Sequence, residues 1–128
     1  MSKQLEVNFA GIPFPNPITT ASGTFGSGLE YSGFVTKGVA NVPWSGNSTP
    51  RIVETHGGML NAIGLQNPGI DTLIARDLPY LYEHGAHIIV NVCGRSKEDY
   101  VEVVERLADE DVDMLEINIS CPNVKAGG

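Results

Sequence analysis

Basic residues are scarce in this chain: eight lysines and arginines stand against fifteen aspartates and glutamates, a formal net charge of −7 over 128 residues. A nucleic-acid surface needs clustered cations, so that class of partner is excluded at the outset. Cysteine occurs only at Cys93 and Cys121, too few for a disulfide framework, and free thiols fit a reducing, cytoplasmic setting. No apolar run approaches the roughly 20 residues that span a bilayer, and Met1-Ser2-Lys3-Gln4-Leu5-Glu6 lacks the apolar stretch of a secretory signal, so no membrane association is expected. His56, His84 and His87 do not fall at ligand spacing, and no metal is expected. Repeats, low-complexity runs and interdomain linkers are missing as well. What remains is a length and a 41% hydrophobic content that suit one globular domain with its own core.

Glycine and proline are plentiful and crowd the first seventy residues. Leu5 to Phe14 alternates around Gly11 and reads as a hairpin. Pro17-Ile18-Thr19-Thr20 reads as a short strand entering the small-residue turn Ala21-Ser22-Gly23, and Phe34 to Lys37 as another β segment. Pro43, Gly46-Asn47 and Pro50 imply a long excursion with one hairpin around Ile52-Val53. Between Gly69 and Gly85 the apolar residues Ile70, Leu73, Ile74, Leu78, Leu81 and Tyr82 recur at helical spacing. Asp71 is the expected cap, Gly85 the stop and Pro79 a kink. His87 to Cys93 is a buried-strand pattern, Ser96-Lys97-Glu98-Asp99 a capping box, and Tyr100 to Ala108 an amphipathic helix face. Asp113 to Ser120 is strand again. Strand, helix, strand implies a parallel pair joined by a right-handed crossover. Nine of the fifteen acids lie between Glu98 and Glu116, which reads as a solvated outer face.

Strand parity separates two faces in the last strand: Leu115, Ile117 and Ile119 on one, Glu116, Asn118 and Ser120 on the other. In a (β/α) barrel the outer face packs on helices and the inner face at the C-terminal end carries chemistry. Asn118 then points inward, and Asn91 takes the corresponding place on the preceding strand. Directly after the strand, Cys121 sits between Asn118 and Asn123, with Pro122 ending the strand. Taken singly, each residue has an ordinary explanation. Cys121 and Cys93 read as buried thiols, Lys37 as a snorkelling strand-edge lysine, Asn61 and Asn123 as turn formers, and Trp44 and Tyr31 as core or loop anchors.

Taken together they form a pattern. Ala21-Ser22-Gly23-Thr24-Phe25-Gly26, Thr36-Lys37-Gly38, Gly46-Asn47-Ser48-Thr49-Pro50-Arg51, Asn61 through Gly69, and Asn118 through Val124 resemble the class 1 dihydroorotate dehydrogenases. The ending Asn118-Ile119-Ser120-Cys121-Pro122-Asn123-Val124-Lys125-Ala126-Gly127-Gly128 looks most like the NAD-linked 1B subtype. The resemblance implies an α/β fold of the (β/α)8 TIM-barrel type, of which the chain corresponds to about the first half, through the fourth strand. It implies FMN as cofactor and oxidation of dihydroorotate to orotate in pyrimidine biosynthesis. Cys121 matches the base that removes the C5 proton, a sensible role for a thiol whose ordinary pKa is ~8.5. Lys37, Asn61, Ala62, Ile63, Gly64, Leu65, Asn118 and Asn123 match substrate contacts. Ser22, Lys37, Gly38, Asn91 and Asn118 match flavin contacts. The implied partners are a second copy of the chain and an electron-transfer subunit carrying FAD and an iron–sulfur cluster. Two alternatives stay open: another flavin barrel acting on pyrimidines, such as the dihydropyrimidine dehydrogenase flavin domain, and a non-catalytic half-barrel assembly module. The segment from Tyr31 to Lys37 is shorter than its family counterpart and leaves less than the ~10–12 residues that a crossover needs.

Overall fold

The structure is a computed structural model that describes residues 5–23 and 33–125. Its centre is a three-stranded parallel sheet ordered β3 (Gly33–Val35), β6 (His87–Val92), β7 (Met114–Ile117), with β6 in the middle. Two antiparallel hairpins flank it: β1 (Val7–Phe9) with β2 (Ile12–Phe14), and β4 (Ile52–Thr55) with β5 (Gly58–Asn61). Both hairpins lie where the alternation and the turn residues place them.

The period-2 pattern of β6 divides the core. Ile88, Val90 and Val92 face the helices and are buried with Ile70, Leu73, Leu78 and Leu81 on one side and Val103 and Leu107 on the other. Ile89 faces the opposite way and packs with Val35 and Phe14. Phe14 also lies 4.7 Å from the His87 ring at the start of β6, so the first hairpin covers the N-terminal end of the parallel strands. The C-terminal ends are left to loops. A sheet with helices on one face and a closed base on the other is the barrel arrangement.

The helical segment between Gly69 and Gly85 is composite. A short α1 (Ile70–Thr72) passes through a π turn (Leu73–Asp77) into α2 (Leu78–Glu83). Pro79, near the start of α2, lacks an N–H and its ring opposes the carbonyl four residues back, and the widened turn immediately before it absorbs the conflict. The expected cap is corrected here: Gly69 is the N-cap, without a side-chain bond, and Asp71 lies inside the first turn, paired with Arg106. Gly85 ends α2 at φ 64°, as its position suggests. α3 (Lys97–Leu107) begins as its capping box dictates, with Ser96 Oγ accepting from Asp99 N and Asp99 accepting from Arg95 N at 2.9 Å. Those bonds hold the Asp99 carboxyl below its ordinary range, the backbone bond from Arg95 contributing most.

One further expectation is corrected. Pro17 to Thr20 forms no strand; Thr20 is buried and its Oγ1 accepts from Val35 N at 3.2 Å, so a side chain replaces the ladder there. The acidic stretch is solvated as expected, none of its acids being buried, and several of them still hold defined bonds. Asp113 accepts from Ile88 N and pairs with His87, Glu110 accepts from Tyr82, and Glu116 bonds Asn91 on the inner face. Tyr31 and the turn residues Thr24, Phe25 and Gly26 lie outside the described residues. No helix among the described residues is long and apolar enough to cross a membrane.

Candidate active site

The site grows from a bulge at the end of β3. Thr36 N donates to Ile89 O at 2.9 Å, and the next ladder bond comes from Val39 N to Asn91 O at 2.8 Å. A regular parallel ladder advances two residues on each strand, so β3 carries one residue too many. Lys37 and Gly38 are displaced out of the ladder at this point. Lys37 Nζ reaches the carbonyl of Gly23 at 3.2 Å, and Asn91 N is satisfied by Thr36 Oγ1 at 3.1 Å.

Gly38 lies hard against the inner face. A Cβ there would stand 2.9 Å from Asn91 Oδ1, 3.4 Å from Leu65 and 3.5 Å from the Cys93 sulfur. Asn91 is itself 2% exposed, and its carboxamide is bonded through both its nitrogen and its oxygen. It donates to Glu116 and accepts from Asn118 Nδ2 at 3.3 Å. Parity in the sequence thus puts Asn91, Glu116 and Asn118 on one face, as expected. The register refines their heights: Asn91 pairs with Glu116, so Asn118 stands one layer nearer the mouth. Asn118 is further fixed by Tyr100 of α3, whose hydroxyl donates to Asn118 O at 2.6 Å.

A second cluster sits on the loops. Asn61, the last residue of β5, accepts from Asn123 Nδ2 at 3.1 Å. Asn67 anchors the intervening segment. Its backbone pairs with Trp44, and its side chain accepts from Ala40 N and Gly69 N and donates to Leu65 O. Gly64 adopts φ 76°, which only glycine takes without strain, and no Cβ would fit there against Asn47. Leu65 links this loop to the Gly38 cluster. Trp44 is buried beneath the Arg95 guanidinium, 4.6 Å from the ring centroid, and is a loop anchor as its context suggests.

The two thiols are unequal. Cys93 is fully buried at the end of β6, and burial pushes its thiol up to about 12; nearby Cys121 adds to the rise and Lys37 opposes it. Cys121 is half-buried and free, in the loop after β7. A group protonated up to such a pH serves no base function near neutrality.

The structure therefore brings together Lys37, Gly38, Leu65, Asn91 and Asn118 in one cluster, and Asn61, Ala62, Ile63, Gly64 and Asn123 in another. Ser22 stays exposed in its turn and joins only through its neighbour Gly23. Sequence reasoning passed over Glu116, although parity had placed it beside Asn118. Asn47 and Arg51 stand in a matched motif but carry no site role in the sequence, because their roles depend on contacts between distant loops.

Known proteins give the same picture. The family model for dihydroorotate dehydrogenase matches residues 4–128. The chain is 63% identical to the dihydroorotate dehydrogenase B (NAD(+)) catalytic subunit of Lachnoclostridium phytofermentans, covering 94% of this chain and 43% of that protein. It is 59% identical to the protein of the same name from Alkaliphilus metalliredigens, covering 97% of this chain and 44% of that one. Among solved structures, DHODH from Eimeria tenella in complex with ferulenol superposes with a TM-score of 0.75 at 23% identity, over 95% of this chain and 38% of that chain. The chain thus spans a little under half the length of the curated relatives it matches. With the family model matching nearly its whole length, the chain belongs to the dihydroorotate dehydrogenases.

Proposed function

We propose that this chain is the N-terminal part of a flavin-binding barrel that oxidises dihydroorotate to orotate, with Cys121 as the base. The observation that carries the reading is the meeting of two loops distant in sequence, at Asn61 and Asn123, beside a half-buried free thiol. FMN suits the Lys37–Gly38 bulge. Gly38, with no side chain, lets the backbone lie directly against Asn91, Asn91 supplies a bonded polar floor, and the Lys37 ammonium spends one bond on Gly23 O while carrying three donors. FMN bound there supplies the acceptor for the hydride that leaves C6 of dihydroorotate.

The chain's own residues do the rest. Cys121, as thiolate, takes the C5 proton; the electrons of that C–H bond become the C5=C6 double bond as the C6 hydride departs. Cys93 keeps its proton and stays out of the reaction. Asn61 and Asn123 spend one acceptor and one donor on each other, leaving Asn61's NH2 and Asn123's carbonyl and second N–H for the carboxylate and ring of the substrate. Asn118 and the backbone from Ala62 to Leu65 complete the contacts. Lys37 sets positive charge where negative charge collects as the hydride moves. The relatives' designation as catalytic subunits supports an electron-transfer partner, which we propose carries FAD and an iron–sulfur cluster and passes electrons to NAD.

The test is spectroscopic. The purified chain is loaded with FMN and treated anaerobically with dihydroorotate. Bleaching of the flavin band, abolished by Cys121→Ala, is the expected result; a chain that takes up no FMN overturns the reading and favours a non-catalytic assembly module.

A further inference from the structure

Asn47 bonds to both loops of the second cluster, although it belongs to neither cluster. Its Nδ2 donates to Asn123 O at 2.9 Å and to Ala62 O at 3.0 Å. A carboxamide nitrogen has two hydrogens, so both are consumed, one on each loop. Two carbonyl acceptors also fix which end of the amide faces them, since the oxygen would be repelled from both positions. Its backbone N–H donates to Ile63 O at 3.0 Å. Its own carbonyl accepts from Arg51 Nε at 2.6 Å, and the same guanidinium spans Gln66 Oε1 at 2.6 Å and Ser45 O at 2.8 Å. Gly64 lies so close that a Cβ would stand 2.6 Å from the Asn47 carboxamide carbon.

We infer that Asn47 is a positioning residue for the substrate. It holds the 61–65 loop and the 121–125 loop at the separation that lets Asn61 and Asn123 act on one ligand. The inference rests on the proposed function for the identity of that ligand. The chemistry required is specific. Only a short side chain ending in NH2 bridges two carbonyls. Alanine supplies no donor, serine supplies one, and aspartate presents a charge to two oxygens that repel it. The order of damage is therefore serine, then alanine, then aspartate, which differs from the order of lost volume. A space-filling role would instead spare aspartate, the nearest isostere.

The experiment uses the full chain loaded with FMN, and orotate as the probe. Orotate affinity, read from the perturbation of the flavin band, is expected to fall about tenfold in Asn47→Ala and further in Asn47→Asp, with Asn47→Ser between Ala and the parent. FMN affinity is expected to change less than about twofold in Asn47→Ala, because no bond of Asn47 reaches the Lys37–Gly38 cluster. In the ligand-free chain the side-chain amide NMR signals of Asn123 and Asn61 are expected to shift together in every variant. Aspartate binding orotate as well as the parent, or amide signals that stay in place in Asn47→Ala and Asn47→Ser, overturns the inference. Failure of the parent chain to bind orotate sinks the proposed function instead. The amide signals then decide by themselves whether Asn47 holds the loops.

Discussion

Asn123 donates from its side chain to Asn61 Oδ1 at 3.1 Å, across 62 residues of sequence. The bond joins the loop that follows a parallel strand to the end of a hairpin that projects beyond the sheet. If one ligand draws on both amides, their energies are coupled. Removing either side chain alone is expected to weaken orotate binding by about 1–2 kcal/mol. The double variant Asn61→Ala/Asn123→Ala is expected to lose less than the sum of the two, by roughly 0.5–1.5 kcal/mol. A double-mutant cycle on orotate affinity measures this directly, and strict additivity would contradict a shared ligand.

The two cysteines are expected to differ in reactivity. In the folded chain a thiol reagent at neutral pH should label Cys121 and spare Cys93, which is buried and stays protonated to about 12. Mass spectrometry of the labelled chain gives the answer. Prior FMN and orotate should slow labelling at Cys121. Unfolding should expose both thiols equally.

Cys93 also predicts an alkaline limit to stability. Below pH 9.0, the ordinary value, the thiol is protonated whether folded or unfolded and contributes no pH dependence. Above it the unfolded chain releases the proton while the folded chain retains it, so stability falls until about pH 12. The loss amounts to roughly 2–4 kcal/mol at most. Thermal melts between pH 8 and 11 should show this decline, and Cys93→Ala should flatten it. An unchanged slope in that variant would assign the decline to other groups.

Gly38→Ala is expected to abolish flavin uptake. The added methyl would meet Asn91 Oδ1 at 2.9 Å, and Asn91 is bonded on both sides and has nowhere to move. Absorbance after loading with FMN measures the effect, with the parent chain as reference. The accompanying destabilisation is expected at about 1–3 kcal/mol, the range for overpacking a tight site.

Ser96→Ala is expected to lower stability by about 1 kcal/mol through loss of the α3 cap, with no change in flavin affinity. Denaturant unfolding followed by circular dichroism checks it. The variant serves as a control for Asn47 and Gly38, since it perturbs the scaffold remotely from the ligand.

Much of the architecture was legible because the signals are local. Alternation around Gly11 and around Ile52-Val53 marks both hairpins, and apolar parity along His87–Cys93 marks the central strand. Ser96 and Asp99 mark the start of α3. Where the reading of the chain went astray, a neighbour distant in sequence had intervened. Pro17 to Thr20 has the composition of a strand, but its bond to Val35 runs through the Thr20 hydroxyl, which no propensity encodes. Asp71 has the chemistry of a cap, but Gly69 receives that position because the chain must turn sharply against Pro43. Ile117 and Ile119 share a face with Leu115 in the pattern, yet β7 ends at Ile117 and the two stand 49% and 82% exposed.

The order of residues alone determined which side chains can do chemistry here and which strand face each occupies, because a pleated strand alternates every residue whatever surrounds it. It also determined that two amides flank Cys121, although the strand itself ends at Ile117, short of the Ser120 that the pattern suggests. Only the tertiary structure decided that Lys37 and Gly38 bulge from the ladder, that Cys93 is pushed far from neutrality while Cys121 is half-exposed, and that Asn47 ties two loops together. Those features depend on through-space distances between segments 15 to 76 residues apart. Desolvation, steric exclusion and hydrogen bonding act over a few ångströms and take no account of sequence separation.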